Sequence, residues 1–365
     1  MPSTTQTTVQ SIDSIDSIPT TIKRRQNDKT KTPKTKPVSK IPICPKNSSI
    51  PRLDQPSQHK FILLQSLLPI TVHQLTTLVL SISRYDDYVH PFLLRLCVII
   101  GYGYAFRFLL RREGLAIRTL GKKLGYLDGD HHPRDKVPRD STRLNWSLPL
   151  TVGSRTVMCV LVAYDPSQQP INYLASLKWW AWLAVYLSLY PIILDFYYYC
   201  VHRAWHEVPC LWRFHRRHHT IKRPSILFTA YADSEQELFD IVGTPLLTFF
   251  TLKALHLPMD FYTWWICIQY IAYTEVMGHS GLRIYTTPPI SCSWLLQRFG
   301  VELVIEDHDL HHRQGYRQAR NYGKQTRIWD RLFGTCADRI ETNPVNIQKG
   351  RRVMMHSINI PSLGN

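Results

Sequence analysis

Apolar residues run along this chain in six long blocks, and the blocks come in pairs. Residues 61–83 and 92–110 form the first pair, 148–164 and 174–195 the second, and 238–256 and 261–278 the third. A membrane-spanning helix needs about twenty mostly apolar residues, so this pattern predicts paired transmembrane helices. Arg95, Arg155, Lys178, Asp240, Lys253 and Glu275 interrupt the blocks, and buried helices of a soluble protein carry similar patterns. The connecting segments separate the two readings. Links within pairs are poor in base: RYDDYVH holds one, DPSQQPINY and LPMD none. Segments outside the pairs are strongly basic: the N-terminal stretch, residues 107–143, the region around 202–222, and 313–331. That asymmetry is the positive-inside pattern, and it puts the basic segments on the cytosolic side. Trp179, Trp180, Trp182, Trp264 and Trp265 stand near block ends and fit an aromatic belt, with plain core packing as the alternative.

Charge and cysteine usage sharpen this picture. The chain of 365 residues carries a formal charge of +17. The charge surrounds apolar segments and sits on no recognisable nucleic-acid fold, so a lipid surface is the expected partner and nucleic acid is not. The eight cysteines form no CxxC, which excludes a zinc ribbon and points to reducing surroundings. Residues 1–60 are rich in Ser, Thr, Lys and Pro. They begin with no apolar leader, so no secretory signal is expected, and they form a disordered basic tail in this reading.

The candidate chemistry lies in the histidines. Ten of the sixteen fall between 202 and 312, and nine of these, all but His256, stand in motifs. His202 and His206 are four apart and share a face on a helix. His215, His218 and His219 repeat at i, i+3 and i+4, and His308, His311 and His312 repeat that spacing; His279 stands alone in EVMGHSG. Neutral imidazole suits iron, zinc and copper. Nine imidazoles exceed the roughly four to six ligands of one first-row ion, so two ions are the economical reading. An exposed basic surface would not repeat the spacing. His59, His73, His90, His131, His132, His256 and His356 are read as ordinary core or surface residues. The zincin pattern fails, because Cys210 stands where a histidine would follow Glu207. Metal-bound imidazoles donate their other N–H to a carboxylate or carbonyl, which makes Asp195, Asp233, Glu275, Asp307, Asp309 and Asp330 candidate supports.

HRAWH, HRRHH, HSG and DHDLHH, followed by NYG at 321–323 and WDRLFGT at 329–335, resemble the fatty acid hydroxylase/sterol desaturase superfamily of membrane di-iron oxygenases over about residues 150–338. The resemblance implies an all-α membrane protein: paired transmembrane helices under a cytosolic, histidine-rich helical cap that holds a di-metal site. It implies His202, His206, His215, His218, His219, His279, His308, His311 and His312 as ligands of two iron ions, with O2 as co-substrate. Electrons would come from NAD(P)H through a reductase and a b-type cytochrome, and the membrane would be the endoplasmic reticulum, although the chain ends in PSLGN with no retrieval signal. The expected organisation is a tail over 1–60, a first helix pair and basic loop over 61–147, a fatty acid hydroxylase-like domain over 148–338 and a C-terminal tail over 339–365. One departure stands out: Asp233–Ser234 occupy the place where many members carry His-Pro. The cholesterol 25-hydroxylase branch also lacks that pair and has an EL-F sequence like Glu237-Leu238-Phe239, which tilts the expected substrate towards a sterol or other polycyclic lipid. The expected activity is hydroxylation or desaturation of an apolar sterol, fatty acyl, terpenoid or polyketide compound. The rival classes are a zinc-binding, non-redox membrane protein and an inactive scaffold.

Overall fold

The computed structural model describes residues 41–83, 90–136 and 142–355. Most of the tail, residues 1–40, and the last ten residues lie outside this range, as does His356. The described helices are α1 Gln55–Ile82, α2 Pro91–Leu124, α3 Thr142–Ala163, α4 Pro170–Leu174, α5 Leu177–Glu207, α6 Ser234–Leu238, α7 Thr244–Ala254, α8 Phe261–Gly278, α9 Ser293–Arg298, α10 Ile305–Gln314 and α11 Ile328–Leu332. A π-helical turn, Phe239–Gly243, joins α6 to α7.

Local chemistry sets the long helices. Asp54 caps α1 through Ser57 N, and Ser176 caps α5 through Trp179 N. Asp260 caps α8 through the amides of Tyr262 and Thr263, and also accepts from Trp179 Nε1. Pro56 and Pro91 stand in the first turns of α1 and α2, where a missing N–H is harmless. α2 ends at Gly125, whose φ of 79° suits glycine.

Among the described residues, four helices are long and apolar enough to cross a membrane: α1, α2, the Trp146–Ala163 part of α3, and α5. Their outer faces expose apolar stripes. Leu64, Leu68, Val72, Leu75 and Val79 line one side of α1, and Leu93, Leu96, Ile100, Tyr104 and Phe108 one side of α2. Exposed apolar surface on this scale marks contact with lipid.

The third predicted pair does not qualify, and this corrects the sequence reading. α7 has only 11 residues. α8 is buried from Phe261 through Thr274 and forms the centre of the bundle, packed by α1, α2, α3 and α5. A helix apolar all round serves as a core as readily as a span. Trp264 and Trp265 are likewise core rather than belt: their indoles donate to Tyr190 Oη and the Ser66 carbonyl. Trp182, 40% exposed, keeps a lipid-facing position. The charges that interrupted the blocks find partners. Arg155 on α3 grips Glu275 on α8 through both carboxylate oxygens at 2.9 Å.

Part of the segment read as tail is ordered. β1, Ile50–Leu53, pairs in parallel with β2, Ile347–Val353. Arg283 donates to the carbonyls of Pro45, Ser48 and Ser49 and pairs with Glu341. Both chain ends are thus strapped to the loop after α8, because a buried guanidinium needs every one of these acceptors.

Candidate metal centre

The nine histidines converge on the end of the bundle where α2 and α5 end and α1 and α3 begin. His202 and His206 lie on the last two turns of α5. His215, His218 and His219 lie on short 3-10 turns, Trp212–Phe214 and His218–Thr220, rather than on a continuous helix. His279 caps the C-terminus of α8, and His308, His311 and His312 lie on α10. Asp307 starts α10 by accepting from Val304 N, and Gly315 ends it. All nine are buried.

They divide into two groups. His202, His206, His215, His219 and His311 form one; His218, His279, His308 and His312 form the other. In each group the donor nitrogens all lie within 4.8 Å of one another. Each HxxHH triplet gives its i, i+4 pair to one group and its middle histidine to the other. The triplets do this in opposite senses, which interlocks the two groups.

The hydrogen bonds fix the ring orientation. Nδ1 of His202, His206, His218, His279, His311 and His312 faces the carbonyl of Tyr322, Tyr316, Tyr231, Glu275, Arg320 and Ile221 respectively. Nδ1 of His215 faces Gln236 Oε1 at 2.8 Å. A carbonyl oxygen only accepts, so Nδ1 carries the proton and Nε2 presents a lone pair. Yet Nε2 atoms fixed in this way meet head to head: His202 with His215 at 2.9 Å in one group, and His279 with His218 at 3.3 Å in the other. Two lone pairs at that distance repel unless a cation lies between them. The spacing is that of neighbouring ligands on one ion with bonds of about 2.0–2.1 Å. Burial, reinforced by neighbouring imidazoles, pushes the pKa of His215, His219, His308 and His311 well below the usual range. The donor set is therefore neutral and fits transition-metal ions.

Among the described residues no carboxylate pairs with a nitrogen of the nine clustered histidines, so the candidate supports act differently. Asp195 accepts from the amides of Lys324, Gln325 and Thr326 and from Thr326 Oγ1. Asp330 accepts from the amides of Tyr322 and Gly323. Together they hold the loop whose Tyr322 carbonyl orients His202. A Cβ on Gly323 would come within 2.5 Å of the Thr326 carbonyl and 3.0 Å of Asp330 Oδ2, so glycine is needed there. Asn321, in the left-handed region at φ 57°, ties α10 to the C-terminal loop through the Asp307 carbonyl and Ala337 N. Asp309 pairs with Arg134 and Arg313, Asp307 with Arg339, and Glu275 offers His279 its backbone carbonyl rather than its carboxylate. Asp233 belongs to neither histidine group and pairs with Arg217 at 2.7 Å. Gln236 was not among the candidates. It lies in the divergent stretch after Asp233, and its only sequence signal was that departure. Of the histidines read as ordinary, His59 and His73 meet tyrosine hydroxyls and His90 caps α2, while His131 pairs with Asp130.

The fatty acid hydroxylase family model matches residues 187–335. Human alkylglycerol monooxygenase is 29% identical over 51% of this chain and 40% of its own length. An ornithine lipid hydroxylase of Rhizobium tropici is 26% identical over 50% and 51%, and a methylsterol monooxygenase of Aspergillus fumigatus is 28% identical over 42% and 49%. The chain spans about half the length of the curated relatives it matches. No solved structure matches it significantly. The matched region, residues 187–335, holds all nine histidines and the loop that orients them, and over that region the chain is similar to the fatty acid hydroxylase family.

Proposed function

We propose that this protein is a membrane-bound monooxygenase that hydroxylates or desaturates a lipid, with two iron ions held by the nine histidines. The observation that carries this reading is the head-to-head meeting of proton-free Nε2 atoms, His202 with His215 and His218 with His279, in two interlocked, buried groups. Iron bound there would supply the activation of O2 and the oxidation of an unactivated C–H bond. The chain's residues do the rest. Five histidines hold one ion and four the other, and carbonyls and Gln236 keep seven of the nine rings aimed. The buried bundle excludes water, and an apolar substrate reaches the centre from the bilayer. Electrons come from NAD(P)H through a b-type cytochrome docked on the cytosolic side, in the endoplasmic reticulum membrane.

The relatives' names favour a lipid substrate but span glyceryl ethers, ornithine lipids and sterols. The sterol preference rests on the Asp233–Phe239 stretch and on the DHDLHH block. A zinc-bound, non-redox protein shares the donor set, and turnover separates the two. His215→Ala is expected to lose metal and oxygen-dependent turnover in a lipid screen while the protein still inserts into membranes. Full activity in that variant would overturn the assignment.

A further inference from the structure

A second polar cluster lies against both histidine groups, and the oxygenase reading leaves it unused. Lys324 is only 8% exposed. Its Nζ sits 4.4 Å from the ring centre of Tyr198 and 3.5 Å from Asp240 Oδ2. The Tyr198 ring lies tilted against His202 of the first group, with ring centres 4.8 Å apart. The lysine's charge also reaches His218, His279 and His308 of the second group and His311 of the first. Asp195 fixes the Lys324 backbone, and the π-helical turn positions Asp240, whose Oδ2 also accepts from Gln236. Each member is therefore anchored by an element that supports the histidines.

Two atoms of this cluster lack a protein partner. Tyr198 Oη is buried with the residue 2% exposed, and Asp240 Oδ1 is buried as well. Leaving such groups unpaired is costly, so the cluster implies a ligand. Its chemistry is selective. Tyr198 offers an O–H donor, Asp240 an acceptor, and Lys324 spare N–H bonds, while the Lys–Asp pair is neutral overall. A hydroxyl both donates and accepts without adding charge. A carboxylate or phosphate would face the Asp240 carboxylate, and an ether or ketone would leave Asp240 Oδ1 unpaired.

We propose that Tyr198, Asp240 and Lys324 bind an alcohol group of the substrate, so that the substrate is a lipid alcohol oxidised within a few bonds of its hydroxyl. This deepens the oxygenase reading and rests on it. The hydroxyl donates to Asp240 Oδ1 and accepts from Tyr198 Oη or Lys324 Nζ, and the hydrocarbon extends away into the bundle. The three are positioning residues and hold no metal.

The test is equilibrium binding to the iron-loaded full chain in detergent, with hexadecanol, its methyl ether and palmitate as probes. Hexadecanol is expected to bind about tenfold tighter than the ether or palmitate, the scale of a buried hydrogen bond. Tyr198→Phe and Lys324→Met should each erase that preference while affinity for the ether and metal content stay unchanged, and Lys324→Arg should restore part of it. Equal affinity for alcohol and ether, a preference for palmitate, undetectable hexadecanol binding, or a preference that survives in Tyr198→Phe would each overturn the proposal. Metal content is read separately: an unaltered chain that holds no metal would sink the oxygenase reading and this one with it, whereas a metal-loaded chain with no alcohol preference would sink this one alone.

Discussion

Gln236 shows what a spacing rule reaches and what it misses. The nine histidines were legible because imidazoles at i, i+3 and i+4 have few other uses. Their partition was not, because it depends on the short turns around 212–220 that send His218 away from His215 and His219. The supporting partners were still less legible. Six are backbone carbonyls, which every residue type supplies, and the seventh is an amide in a stretch that departs from the family pattern. Because Gln236 Oε1 alone aims His215, Gln236→Leu should lower affinity for one of two ions by about 10–100-fold, the usual scale for such supports. Metal titration of the purified variant checks this, and an unchanged affinity would mean that packing alone orients the ring.

At the scale of elements, helix existence followed from the apolar blocks, but helix role did not. α8 reads as an apolar block like α5, but it falls short of a span in composition, and four other helices pack around it as a core. The ordered strap of β1 and β2 was equally hidden, since four residues of strand beside a Lys- and Pro-rich stretch give no periodic signal. The loop after α2 makes a testable contribution here. Burial alone would raise the Asp128 pKa, but ion pairs with Lys46, Arg223 and Arg313 hold it at about 2, below its ordinary value of 3.8. A depressed folded-state pKa contributes stability that is present above the unfolded value and lost as pH falls through the folded one. Asp128→Asn should therefore lower the melting temperature at neutral pH, and the gap to the unaltered chain should shrink as pH falls from about 4 towards 2. A gap that stays constant over this window would show that Asp128 acts through shape rather than charge.

At the scale of the whole molecule, the four candidate spans agree in direction. The N-termini of α1 and α3 and the C-termini of α2 and α5 share the histidine end. On the charge asymmetry of the connecting segments we propose that this end faces the cytosol. Cys210, exposed in the turn after α5, should react with a membrane-impermeant maleimide in sealed vesicles whose cytosolic face is outward, with Cys210→Ser as the control. Labelling only after permeabilisation would reverse the orientation. The central claim is that two interlocked imidazole groups hold two redox-active ions, and metal content per chain tests it most directly. The unaltered, iron-reconstituted protein should hold two irons, one for each group, and His219→Ala and His312→Ala should each preferentially deplete one of them. A protein that binds no transition metal after reconstitution, or that keeps both ions in these variants, would contradict the account.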